Sequence, residues 1–329
     1  MLFESLLIAA VLYVSTPATN TTPTTDTPQN SFSAPTDMPE ATASFPYDMT
    51  YPYAYFELDE VLNNISGLSP SNISSKSITC IQKEDGKAYM IDKKTGKITA
   101  SVFFTTEGQF EGVEMVGDTM FAIKDNGQMY KIWNLNSTHK NVKQVKMNLP
   151  RTEMMEGLGY DLQSNRLLMT AKGQKEGDFS KKIYEFDVKT NQSNPIPAYE
   201  ISLAQFKEFL SEKKGDRNYQ KVYEDYVAKA NTKNFDFSPS SIAVNPLDNN
   251  IYVLSSLNSV MMVMNPQGKI LDLVKLKKDM NNAPNGLCFD EEGTMYISNE
   301  AKDGKAAKLV EYKISKTALT ASRLNSNRK

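Results

Sequence analysis

The feature that most constrains this chain is a short motif that returns five times. Ile65-Ser-Gly-Leu-Ser, Phe110-Glu-Gly-Val-Glu, Met155-Glu-Gly-Leu-Gly, Pro239-Ser-Ser-Ile-Ala and Pro284-Asn-Gly-Leu-Cys share a polar residue, then Gly or Ser, then an aliphatic residue. The Gly or Ser falls at Gly67, Gly112, Gly157, Ser241 and Gly286, in steps of 45, 45, 84 and 45 residues. Self-similarity at this period is the mark of an array of supersecondary units that cannot bury their apolar faces alone. The long step needs an insertion, and the stretch 195–234 supplies one.

Each unit reads as four short strands joined by tight turns. Leu287-Cys-Phe precedes Asp290-Glu-Glu-Gly, then Thr294-Met-Tyr-Ile-Ser and Leu309-Val-Glu-Tyr-Lys-Ile; Ile251-Tyr-Val-Leu and Val260-Met-Met-Val-Met flank another short loop. Alternating strand and turn signals at this spacing predict four-stranded blades and an all-β, five-bladed β-propeller. A six-bladed ring is the alternative, and it needs a blade inside the insertion. The ends favour five. The last unit has three strands and then a polar tail, 316–329, while Tyr51-Pro-Tyr-Ala-Tyr-Phe-Glu-Leu stands unpaired before the first. Placing that strand outermost in the last blade closes the ring and protects an edge.

The insertion has helical rather than strand periodicity. Ser202-Leu-Ala-Gln205 forms a capping-box pattern, Leu203, Phe206 and Leu210 follow at helical spacing, and Tyr219, Val222, Tyr223, Tyr226 and Val227 make a second stripe. Both stripes are expected to pack on the propeller or on each other. Because the insertion leads into the first strand of blade four, it is expected to lie over the motif-bearing face, as a lid or docking surface.

The motifs Phe110-Glu-Gly-Val-Glu, Met155-Glu-Gly-Leu-Gly-Tyr and Pro284-Asn-Gly-Leu-Cys-Phe-Asp-Glu-Glu-Gly-Thr-Met-Tyr-Ile-Ser-Asn-Glu resemble those of SdiA-regulated proteins, and the last also resembles an NHL repeat. The resemblance spans about residues 56–314. It implies a bacterial, envelope-associated propeller and brings no established activity.

Residues 1–18 read as an export signal: Leu6 to Val14 is apolar but too short to span a bilayer, and small residues follow, although Glu4 stands where a basic residue is usual. Residues 19–45 are a Thr/Pro-rich linker with little to bury. The expected location is therefore periplasmic, cell-envelope or secreted, without a transmembrane span in the mature chain. With 37 basic and 39 acidic residues and no basic stripe, nucleic acid is not an expected partner. Two cysteines, Cys80 and Cys288, and one histidine, His139, argue against thiolate or multi-His metal sites and a Ser-His-Asp triad. Separate buried thiols are expected rather than a disulfide.

In a propeller, the position before each motif Gly or Ser comes to one channel mouth. Those positions are Ser66, Glu111, Glu156, Ser240 and Asn285, and all are polar. The second-strand exits add Glu84 with Asp85, Asp125, Lys172, Asn299 and Glu300. Two carboxylates about 5 Å apart repel by roughly 3 kcal/mol at an effective dielectric of 20. Glu111 and Glu156 must therefore share a proton, recruit a lysine or hold a cation. Carboxylate and amide oxygens suit Ca²⁺. The competing reading has these side chains merely capping inner strands. Glu114 stands in a row of small residues, Ser69, Gly159, Ala243 and Cys288, and is expected to face a wet channel. The expected function is a module that binds a small ligand or an envelope partner. The alternative is a Ca²⁺-dependent hydrolase of the esterase, lactonase or phosphatase kind.

Overall fold

The computed structural model describes residues 45–71, 74–137, 139–151, 153–172, 180–228 and 235–315. All fall in one compact unit. The expected export signal, all of the linker before Phe45, and the tail 316–329 lie outside the described residues. Among the described residues no helix is long and apolar enough to cross a membrane.

Five antiparallel sheets stand in a closed ring, each led by one motif. Blade one is Ile65–Pro70, Ser77–Gln82, Gly86–Asp92 and Ile98–Thr105, and blade two is Phe110–Val116, Thr119–Lys124, Met129–Trp133 and Asn141–Val145. Blade three is Met155–Asp161, Arg166–Ala171 and Ser180–Asp187, with an outer edge made of Gln192–Ser193 and Tyr199–Ser202. Blade four is Pro239–Val244, Ile251–Ser255, Val260–Met264 and Ile270–Lys275. Blade five is Pro284–Phe289, Met295–Asn299 and Lys308–Tyr312, completed by Ala54–Glu57 from the other end of the chain.

Burial follows position in the blade. Second and third strands are covered on both faces, so Ile251–Ser255 and Val260–Met264 are buried along their whole length and read as continuous apolar runs. Outer strands meet solvent, and four of the five residues of Asn141–Val145 are exposed. Between blades the core is aromatic and methionine-rich. Phe121, Met129, Met169, Tyr184 and Phe186 fill one such wedge, and Tyr252, Met261, Phe289 and Tyr312 another.

The motif glycines are where the ring is tightest. A Cβ built on Gly67 would lie 2.5 Å from Val113 N, and one on Gly286 would lie 2.4 Å from Ser66 O. Backbone cannot yield to such contacts, so each motif glycine lets its inner strand touch the next blade's. Blade four replaces this glycine with Ser241, whose Oγ accepts a hydrogen bond from Leu287 N at 3.0 Å and joins blades four and five.

Closure matches the sequence reading. Tyr55 pairs with Val310 in the antiparallel register of Ala54–Glu57 on Lys308–Tyr312, and Tyr53 N and Leu58 N extend the ladder to Glu311 O and Ala307 O, each at 2.8 Å. The seam runs further back than expected. Tyr47 and Met49 are buried, Tyr47 Oη donates to Gly293 O at 2.7 Å and accepts from Asn245 Nδ2 at 2.9 Å, and Ser315 N bonds Pro46 O.

The insertion begins later than residue 195. Pro195 and Pro197 interrupt the outer edge of blade three because proline has no N–H to give the ladder, but pairing resumes over Tyr199–Ser202. Helix α1, Leu203–Glu212, then starts on the predicted capping box, with Ser202 Oγ accepting from Gln205 N and Gln205 Oε1 accepting from Ser202 N. Helix α2, Arg217–Tyr223, runs into a π-helical turn, Glu224–Ala228. Leu203, Phe206, Leu210, Val222 and Tyr226 pack with Phe235 and Phe237 against blades three and four. The stripes are core, as expected. These contacts hold the insertion along the outer side of blade four, and it reaches the motif-bearing end where Tyr226 meets the turn leaving the second strand. Tyr219 Oη donates to Asp272, Lys275 Nζ to Asp225, and Tyr226 Oη to Leu257 O, all flanking blade four.

Candidate functional site

Each inner strand has a β-bulge at the same place. Phe110 pairs with Lys124 and Gly112 with Ile123, so Glu111 is an extra residue with no partner; Glu156, Ser240 and Asn285 are extra in the same way, and Ser66 falls in the corresponding irregularity of blade one. A bulge bends the strand and re-aims the side chain it displaces. Five polar side chains are thereby turned out of the blade faces at one level of the ring.

Backbone hydrogen bonds fix the second circle of residues. The residue following each second strand is Lys83, Asp125, Lys172, Ser256 or Glu300. Lys83 N bonds Asn64 O, Asp125 N bonds Gln109 O, Lys172 N bonds Met154 O and Glu300 N bonds Ala283 O, each joining the exit to the segment leading into its own inner strand. Lys83 O also accepts from Gln109 N, and Asp125 O from Met155 N, which ties each exit to the next blade.

The two circles meet in a chain of charges across blades three, two, one and five. Lys172 Nζ lies 2.9 Å from Glu156 Oε1. Lys83 Nζ lies 3.5 Å from Glu111 Oε2 and 2.9 Å from Glu300 Oε1, and Asn285 Nδ2 donates to that same Glu300 oxygen at 2.5 Å. The Glu111 side chain is nine-tenths buried, and its Oε2 takes no hydrogen bond among the described residues. Burial, followed by the Glu156 charge, pushes the Glu111 carboxyl up to about 8, against the pull of Lys83. For Lys83, burial alone would lower the ammonium pKa, but Glu111, Glu300 and Glu156 together outweigh it and raise it. Of the escapes open to a pair of neighbouring carboxylates, recruited lysines are in place, and the raised Glu111 pKa favours a retained proton.

The remaining candidates separate. Ser66 and Ser240 cap backbone: Ser66 Oγ donates to Phe110 O at 3.0 Å, and Ser240 Oγ lies 3.4 Å from both Leu254 O and Pro284 O. Asn299 is fully buried, accepting from Ala283 N and facing Asn281, so it braces the loop rather than lining the mouth. The Asp125 carboxylate makes no ion pair or hydrogen bond among the described residues, and its backbone does the positioning. Glu84 accepts from Asn64 Nδ2 at 2.6 Å and is one residue off the exit position, which belongs to Lys83. The expected exit at Glu84 moves to Lys83, the residue after Gln82, which pairs with the first residue of the blade-one motif.

Glu114 corrects the wet-channel expectation. It is buried, Ser69 Oγ donates to its Oε1 at 2.5 Å, and Met115 N in turn donates to Ser69 Oγ. Burial pushes this carboxyl up to about 8, partly offset by the Ser69 hydroxyl and the Met115 and Tyr160 amides. Cys80 and Cys288 are both free and buried, and His139 is exposed. No group of three or more Asp, Glu, His or Cys side chains gathers into a metal-holding set among the described residues.

A solved structure shares the fold. The Myxococcus xanthus glutaminyl cyclase is 8% identical, with a TM-score of 0.52 over 80% of this chain and 96% of that one. The PQQ-bound aldose sugar dehydrogenase of Streptomyces coelicolor is 10% identical, with a TM-score of 0.47 over 80% of this chain and 100% of that one. No curated protein matches the chain. A family model matches residues 48–302, from the segment before the closing strand through the second strand of blade five, and so takes in all five motifs. On that match the chain belongs to the SdiA-regulated family.

Proposed function

We propose that this protein is a binding module, exported or held at the cell envelope, whose channel mouth takes a small, polar, hydroxylated ligand or the polar tip of an envelope partner. The observation behind this reading is the buried Glu111 carboxyl, whose Oε2 has Lys83 Nζ beside it at 3.5 Å but no hydrogen bond among the described residues. A ligand hydroxyl there supplies the missing donor, and Lys83 and Lys172, both partly exposed, supply donors to its other oxygens. The ring and exit positions contain no apolar side chain, which disfavours a hydrophobic ligand. The apolar run Leu6–Val14 and the linker after it support export.

The second reading is a Ca²⁺ site with hydrolase chemistry. The same Glu111 oxygen, which takes no hydrogen bond among the described residues, and the Glu156 charge close enough to act on it favour this reading. The donor set fits it poorly, because Glu111 and Glu156 each already have a lysine beside them.

A melting-temperature screen with monosaccharides, polyols and Ca²⁺ separates the two. A sugar or polyol is expected to stabilise the wild type, and the Glu111→Gln, Glu156→Gln double variant is expected to lose that response while keeping its fold. At a hundred times its dissociation constant, a ligand specific for the folded state adds about 2.7 kcal/mol. A response to Ca²⁺ alone, lost in the same variant, favours the cation. A double variant that responds like the wild type would mean that these carboxylates are not the site.

A further inference from the structure

A cleft of about 660 Å³ opens between blades two and three, outside the mouth and independent of the reading above. One wall is the turn Asn126-Gly127-Gln128, which follows the exit residue Asp125, and the opposite wall is the segment leading into the blade-three motif. Gly127 sits at φ +79°, which brings its backbone against the cleft beside Leu149 and Met155. Its size is that of a small-molecule site.

The lining is divided by chemistry. Met147 and Leu149 give an apolar floor backed by the buried Met155, and methionines adapt readily to irregular apolar shapes. Lys146 and Arg151 stand exposed at the cleft with no carboxylate paired to either among the described residues. Set into the wall is Glu153, whose side chain is only 5% exposed. Its Oε1 takes both Lys182 Nζ at 2.9 Å and Tyr184 Oη at 3.1 Å, while its Oε2 is buried with no hydrogen-bond partner among the described residues. A carboxylate oxygen buried without a donor is costly, and a ligand that brings one relieves that cost.

We infer that this cleft binds a zwitterion with an apolar body, a free apolar amino acid or a short apolar peptide. Its ammonium donates to Glu153 Oε2, its carboxylate meets Arg151 and Lys146, and its side chain lies on Met147 and Leu149. A simple anion would leave Glu153 unanswered, and a simple cation would face Arg151 and Lys146 with nothing to offer them.

Titration calorimetry of the full chain with L-leucine and with the dipeptide Leu-Leu tests this. At least one is expected to bind, and which of them binds distinguishes the two sources. N-acetyl-leucine, which lacks the ammonium, and leucinamide, which lacks the carboxylate, are each expected to bind at least roughly tenfold more weakly than leucine or, if only the dipeptide binds, than Leu-Leu. The Lys146→Ala, Arg151→Ala variant alters only exposed side chains, so it is expected to fold normally and to lose a similar factor. Glu153→Gln is expected to weaken binding as N-acetylation does; should it fail to fold, the N-acetylated ligand reads the same contact. The inference is overturned if neither leucine nor Leu-Leu binds, or if binding is indifferent to the ligand's ammonium or to the Lys146 and Arg151 substitutions.

Discussion

A chain that begins at Leu58 is expected to lose cooperative unfolding altogether, whereas one that begins at Phe45 is expected to melt within a few degrees of the full-length protein. The first truncation removes the outer strand of blade five and exposes the far edge of Lys308–Tyr312. It also removes the buried Tyr47 and Met49, and with them the hydrogen bonds that Tyr47 donates to Gly293 O and accepts from Asn245 Nδ2. Burial of two such side chains is worth roughly 1.5–3 kcal/mol each. Added to the lost strand ladder, this rivals the 5–15 kcal/mol that separates a folded domain of ordinary stability from its unfolded chain. A third chain, beginning at Thr50, keeps the strand but loses Tyr47 and Met49, and is expected to fall between the other two. Equal melting of the Leu58 and Phe45 chains by circular dichroism would mean that the ring does not depend on this seam.

Glu114 yields the second large effect, and its sign is set by its raised pKa. Its ordinary value is 4.5 and burial lifts it to about 8 in the folded protein. Between those values the native state holds a proton that the unfolded state has released, so stability falls as pH rises from about 4.5 to about 8 and is level above. At about 1.4 kcal/mol per pH unit, the contribution is on the order of several kcal/mol. Glu114→Gln removes the titration while keeping an acceptor for Ser69 Oγ. The variant is therefore expected to melt close to the wild type at pH 4.5 and at least about 5 °C above it at pH 9. The wild type also titrates at Glu111, but that slope is common to both proteins and drops out of the difference. A difference that stays the same from pH 4.5 to pH 9 would show that Glu114 is not the buried acid described here.

What the sequence makes legible follows from what a repeat imposes. The spacing of Gly67, Gly112, Gly157, Ser241 and Gly286 sets the blade count, because each must meet the next blade's backbone. The orphan strand near Tyr55 and the capping box at Ser202 are equally local signals, and both are found in place. What stays hidden depends on backbone events that have no residue signature. The bulge at Glu111 is one: the polar ring can be counted from the period, but only the extra residue in the ladder turns its side chains out of the blades. The exit at Lys83 is another. In a strand or its continuation a slip of one residue reverses the side-chain direction, so choosing Glu84 there missed the lysine that links Glu111 to Glu300. Glu114 was misread for a related reason. Its partner, Ser69, holds the same position in the neighbouring blade, and a list of small residues does not reveal that one of them is a donor. The helical stripes of the insertion announce a buried face, yet they do not say which blade covers it.

The central claim is that the bulged ring brings Glu111 into a buried charge network at the channel mouth, and the protonation of Glu111 reports on it directly. In ¹³C-detected NMR of the glutamate side-chain carboxyls, assigned by Glu111→Gln, the Glu111 signal is expected to titrate near pH 8. The Glu156→Gln variant is expected to bring that midpoint down, because the neighbouring charge is then gone. A Glu111 midpoint at or below its ordinary 4.5, unmoved by Glu156→Gln, would contradict both the burial of the carboxyl and its coupling across blades.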